Sequence, residues 1–128
     1  MNSHPLIREF ALNELHKLTL ARYPVGLFIR NFQAGDEQRF LNLIELPAAA
    51  FDRHSLVMDL LSVLEENSDG DAALLGPIAY VETPCAMCRF RALKLMQARQ
   101  AMPAWIAEEC RHDSEPDCRE FAQVYCND

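Results

Sequence analysis

A short phrase occurs three times in this chain. It stands near the start as Pro5-Leu6-Ile7-Arg8-Glu9-Phe10-Ala11 and past the middle as Cys88-Arg89-Phe90-Arg91-Ala92. It closes the chain as Pro116-Asp117-Cys118-Arg119-Glu120-Phe121-Ala122. The shared core is a small apolar residue, Arg, two variable residues and Ala. Each copy follows a Pro: Pro5 and Pro116 stand three residues before their Arg, Pro84 five before. Self-similarity at helix starts marks a chain in which helical units stack on one another to bury a shared core.

The periodicity between the phrases is helical throughout. A first helix is expected from Pro5 to Arg22, with Ile7, Phe10, Ala11, Leu15 and Leu18 on one face and Tyr23-Pro24 as its stop. Val25 to Phe32 reads as a short helix broken by Ala34-Gly35. Asp36 is placed to cap a helix that turns Phe40, Leu41 and Ile44 inward and stops near Pro47. A long helix over 52–66 carries Val57, Leu60, Leu61 and Leu64 at the spacing of one buried face. Asn67-Ser68-Asp69-Gly70 ends it, and Asp71 caps a segment through Tyr80 that Gly76-Pro77 interrupts. Pro84 opens a helix to Gln100 with Cys88, Ala92, Leu95 and Met96 inward. Met102-Pro103 opens one with Trp105, Ile106 and Cys110 inward. Pro116 opens the last, with Cys118, Phe121, Ala122 and Tyr125 inward. There are only four glycines and no long alternating segment, so the expected fold is all-α.

The three phrases, Ile7-Arg8-x-x-Ala11, Cys88-Arg89-x-x-Ala92 and Cys118-Arg119-x-x-Ala122, resemble those of HEAT-type helical repeats. The resemblance implies a right-handed stack of about four helical hairpins, an α-solenoid formed by residues 1–128 as a single helical-repeat domain. Ala permits neighbouring helices to approach closely, and the apolar residue four positions earlier shares its face. Arg is free to bridge to an acidic group on the next unit.

Charge narrows the function. The net charge of −7 is concentrated: residues 36–82 carry −8, residues 1–35 carry +2 and residues 83–128 carry −1. Nucleic-acid binding needs a basic footprint, which this chain lacks. No run of eighteen apolar residues spans a membrane, and the N-terminus has no basic region followed by an apolar stretch, so a cytoplasmic location is expected. An acidic surface suits a basic protein partner, because opposite fields speed encounter and fix orientation. The candidate partner surface is Asp52, Asp59, Glu65, Glu66, Asp69 and Asp71. Three of them, Asp52, Asp59 and Glu66, are seven apart and share one helix face.

The five cysteines all lie in the last 44 residues. Cys85-x-x-Cys88 with Cys110 and His112 offers four ligands of the type that tetrahedral zinc takes. Against a metal, Cys88, Cys110, Cys118 and Cys126 fall at inward helical positions, where free Cys behaves as a small hydrophobe. A redox role for Cys85 and Cys88 is expected to need a βαβ context, which this chain does not have. His4, His16, His54 and His112 are scattered, and no glycine-rich phosphate loop, H-E-x-x-H or G-x-S-x-G occurs. The expectation is therefore no enzyme, no cofactor and no metal. By size, charge and fold the chain looks like a small bacterial immunity protein, which implies neutralisation of a toxin such as a basic nuclease. An adaptor or regulatory subunit, or a secretion chaperone, would use the same kind of surface.

Overall fold

The computed structural model describes residues 4–14, 25–43, 49–83 and 85–127. Among these the chain forms seven α-helices, one 3₁₀ helix and no strand: α1 (Pro5–Glu14), the 3₁₀ helix (Val25–Ile29), α2 (Asp36–Leu43), α3 (Ala50–Glu66), α4 (Ala72–Glu82), α5 (Ala86–Ala98), α6 (Ala104–Cys110) and α7 (Pro116–Asn127). The all-α expectation holds. Leu15, Leu18, Tyr23, Pro24, Ile44, Pro47 and Pro84 lie outside the described residues. The chain divides into two compact units, Met1–Asp71 and Ala72–Asp128.

In the first unit α3 is the central element. Leu56, Val57, Leu60, Leu61, Val63 and Leu64 are all buried, each side chain contributing about 1.5–3 kcal/mol by leaving water. The helix rests mainly on the 3₁₀ helix, whose Val25 and Phe28 are buried. Phe28 meets Phe40 of α2 edge to face at 5.0 Å. Asn67 closes α3: its side-chain amide donates to the carbonyls of Val63 and Ile29, at 2.8 and 3.0 Å. That satisfies a helix-end carbonyl and fastens the 3₁₀ helix to the same corner. The turn continues with Gly70, where an added Cβ would come within 2.9 Å of Leu64 and 3.2 Å of the Asn67 carbonyl oxygen. Gly35 adopts φ +98° immediately before α2, a left-handed conformation that side chains disfavour. It donates its N–H to Glu37, which also accepts the Asp71 N–H and thereby links α2 to the end of the α3 turn.

α1 is rotated from the expected face. Ala11 is fully buried, but Ile7 is 38% and Phe10 57% exposed. The inward neighbour of Ala11 is instead Arg8, three residues earlier. Its guanidinium donates to both carboxylate oxygens of Asp36, at 2.5 and 2.7 Å, and to the Asn31 carbonyl at 2.7 Å. A buried two-pronged ion pair constrains helix rotation more tightly than two apolar side chains at the edge do.

In the second unit α4 packs along α5, α6 along α7, and α5 touches α7. The α4 helix runs through Gly76-Pro77 without a break. Pro77 forfeits one backbone hydrogen bond, while Leu75, Gly76, Ala79 and Tyr80 around it are buried. Gly76 permits the close approach of α5: a Cβ there would lie 2.6 Å from Met96 Cγ. α5 ends with Gln100 at φ 55°, the Ala101 N–H bonding the Met96 carbonyl and the Gln100 N–H the Gln97 carbonyl. This is a Schellman stop with Gln in the place that Gly usually takes. Phe90 of α5 meets Phe121 of α7 edge to face at 6.2 Å. Trp105, expected inward, is half exposed, while Ile106 and Cys110 are buried.

Ala11, Ala92 and Ala122, the last residue of each phrase, are all fully buried. Enlarging any of them overpacks a helix contact. Ala92→Leu and Ala122→Leu are each expected to cost about 1–3 kcal/mol in chemical denaturation. Unchanged midpoints for both would show that the phrase is not an interhelical contact.

Candidate functional site

The six acidic candidates all lie in the first unit. Glu65, Glu66, Asp69 and Asp71 are exposed, at the last turn of α3 and on the loop that follows; Asp52 and Asp59 are partly covered. The outward stripe of α3 is a different set. Phe51, Met58 and Glu65, spaced by seven, face away from the core. Phe51 is 73% and Met58 42% exposed. Asp52, Asp59 and Glu66 run along the margin of the buried face beside this stripe. Heptad spacing among the acids marks the acidic row, and it does not mark the apolar pair on the outermost ridge. Its signal was two large apolar residues seven apart and out of phase with Val57, Leu60, Leu61 and Leu64.

Asp59 differs from its neighbours. Its carboxylate lies over the 3₁₀ helix at Gly26, where an added Cβ would meet Oδ2 at 3.5 Å. Burial pushes its carboxyl up to about 6. A raised carboxyl pKa means that folding disfavours the charged form. The penalty is present above pH 6 and fades as pH falls toward the unfolded value of about 3.9. Asp59→Asn is therefore expected to stabilise the protein at pH 7.5 by about 1 kcal/mol, a figure reduced because the group is only half covered. The gain should vanish near pH 4. A thermal midpoint at pH 7.5 that falls on substitution would contradict this reading.

Each phrase arginine has a fixed partner. Arg8 holds Asp36, as above, and its guanidinium lies 5.8 Å from the centre of the Phe28 ring. Arg89 donates through Nε and Nη2 to the two oxygens of Asp113, both at 3.0 Å. Burial alone would raise the Asp113 carboxyl; the Arg89 fork, the Glu115 N–H and the charges of Arg89 and Arg119 outweigh it and hold it below the usual range. Arg119 turns back to the carbonyls of Asp113 and Ser114. Two of the three arginines thus bridge to an acid well along the chain.

A cleft opens beside each fork. One of about 330 Å³ is lined by His4, Arg8, Glu9, Asn31 and Gln33. The other, about 410 Å³, is lined by Tyr80, Thr83, Arg89, Glu109, His112 and Asp113. In the second, the Tyr80 hydroxyl is 3.5 Å from a Glu109 oxygen. Burial, reinforced by Glu109, raises its pKa well above the ordinary tyrosine value and keeps it protonated. In this cleft Arg89 and Asp113 are committed to one another.

The four zinc candidates are not gathered. Cys85 and Cys88 lie together at the start of α5. The Cys110 thiol is buried and donates to the Cys118 carbonyl at 3.5 Å, and His112 is exposed within 3.8 Å of Glu108. Burial, with Asp113 nearby, pushes the Cys118 thiol up to about 11. Among the described residues, neither Cys110 nor His112 reaches the Cys85–Cys88 pair closely enough to share an ion with it.

No helix is long and apolar enough to cross a membrane among the described residues. Comparison with protein-family models, with curated proteins and with solved structures returns no match.

Proposed function

We propose that this chain is a protein-binding module whose partner surface is the outer ridge of α3 and the turn after it, and that it serves as an immunity protein covering a basic toxin surface. The observation that carries the reading is where the acids stand. Glu65 and Glu66 occupy the last turn of α3, Asp69 and Asp71 follow directly, and that turn holds no basic residue. Negative charge at a helix C-terminus opposes the helix dipole and costs the helix a few tenths of a kcal/mol to about 1 kcal/mol per group. Glu66 and Asp69 gain nothing from the helix they end, which points to use elsewhere, whereas Asp71 stands before the first residue of α4, where negative charge is favourable. Beside them Phe51 and Met58 supply an apolar centre, and a large exposed aromatic within a charged rim is the usual anatomy of a binding hot spot.

The HEAT-like reading has its support in the second unit. Helices α5 and α7 both carry the phrase, each follows a helix it packs against, and they touch one another. That is the neighbour pattern of stacked hairpins. A second functional reading, an adaptor, is favoured by the apolar face of α1, where Leu6, Ile7 and Phe10 are all exposed. An adaptor needs two surfaces, and this is a candidate for the second. Native pull-down from the host, followed by assay of the recovered partner, separates the readings. Immunity requires a basic toxin domain whose activity falls on stoichiometric addition of the chain. Recovery of an uninhibited enzyme or of an exported effector would replace it with the adaptor or the chaperone.

A further inference from the structure

We propose that Cys85 and Cys88 form a redox-active dithiol, oxidised to an intramolecular disulfide by small accessible disulfides. The sequence places the pair three residues apart, and the structure places both at the mouth of one helix. Cys85 is the N-cap of the thirteen-residue α5, with extended backbone at φ −104° and ψ 122°. No side-chain hydrogen bond caps this helix, so its first N–H groups stand open beside the two thiols. The two sulfurs lie within 4.8 Å of one another. Thr83, itself buried, accepts the Cys85 N–H at 3.1 Å and fixes the cap.

The environments of the two thiols diverge. The Cys88 N–H acts most strongly to lower the Cys85 thiol; burial opposes it, and the Cys88 side chain, the Met87 N–H and the Arg89 charge tip the balance below the ordinary value. Burial, then the bond to Cys85, raises Cys88. Cys85 is partly exposed and Cys88 is buried. One thiol is thus an accessible nucleophile and the other a shielded resolving group. The βαβ context expected for a redox pair is dispensable, because what a thiolate draws from it is the helix N-terminus, and α5 supplies one.

The exchange balances. The Cys85 thiolate attacks one sulfur of a disulfide R–S–S–R; the Cys85–S–S–R bond forms, and RS⁻ leaves and takes a proton from water. The Cys88 thiol releases its proton to water and attacks the Cys85 sulfur. The Cys85–Cys88 bond forms, and the second RS⁻ leaves and is protonated. Two electrons and two protons have passed from the dithiol to the disulfide, which becomes two RSH.

The test uses the full chain and glutathione disulfide, with quenching by an alkylating agent and peptide mass mapping. The expected product links Cys85 to Cys88 and leaves Cys110 and Cys118 alkylated as thiols. Cys88→Ser should accumulate the glutathione adduct on Cys85, on the order of tenfold above wild type, because the resolving thiol is gone. Cys85→Ser should form neither product. Both variants are checked for native helicity. Independently of any substitution, the pH profile of Cys85 alkylation in the wild type should have its midpoint below the free-thiol value of about 8.5. A midpoint at or above that value, or oxidation of Cys85→Ser as readily as wild type, would overturn the proposal.

Discussion

Arg8→Ala is expected to cost about 3–5 kcal/mol of folding stability and Arg89→Ala, whose pair is only partly buried beside a cleft, about 2–3 kcal/mol, because each removes one partner of an ion pair and strands the other. The Asp36 side chain is 2% exposed, so its carboxylate does not regain water without local opening; that of Asp113 is 8% exposed and lines the second cleft, so water reaches it more readily. Both also accept a backbone N–H, from Gln33 and Glu115 respectively, which ties the chain turn to the pair. Arg119→Ala is the built-in contrast. It loses two hydrogen bonds to backbone carbonyls from an exposed position and should cost only about 1 kcal/mol. Urea denaturation at fixed m-value measures all three. The pair in the second unit also sets an acid dependence. The folded Asp113 carboxyl is held low, so its stabilisation is complete above the unfolded value of about 3.9 and is lost as pH falls through the folded value. Arg89→Ala should abolish that loss. Equal and small costs for Arg8→Ala, Arg89→Ala and Arg119→Ala would show that the phrase arginines are surface decoration.

The phrase was legible in the sequence as a packing device, and its alanines are buried as periodicity implies. Its arginines were legible only as a type of residue. Asp36 and Asp113 lie 28 and 24 positions away from their partners, and no local spacing announces a pair of that reach. The same limit explains α1. Periodicity assigns Ile7 and Phe10 inward, but the Arg8 fork turns Arg8 and Ala11 there instead. Gly76-Pro77 reads as a break when propensity alone is weighed; tight packing of Gly76 against Met96 favours continuation. The acidic surface was found by counting charges, whereas the burial of Asp59 over Gly26 depends on which residues the 3₁₀ helix presents to α3. The Cys85 cap was visible as a spacing, but its meaning required knowing which residue of the pair stands at the helix start.

The charge reversal Glu66→Lys with Asp69→Lys is expected to slow association with a basic partner on the order of tenfold or more at low salt, while leaving folding nearly unchanged. Both residues are exposed at the C-terminal end of α3, where long-range attraction acts before contact and governs the on-rate more than the off-rate. Asp59 is left out of the pair because its charge is already disfavoured by burial. Phe51→Ala divides the surface by mechanism: a packed anchor acts through the off-rate, with a loss of about 2 kcal/mol or more in affinity and an on-rate close to wild type. The decisive measurement is association rate against ionic strength, for wild type and the double reversal, on the partner recovered by native pull-down. The proposed surface requires a wild-type rate that falls steeply with salt and a variant rate that is low and nearly flat. A wild-type rate indifferent to salt, or a variant that associates as fast as wild type, would contradict an acidic docking face on α3.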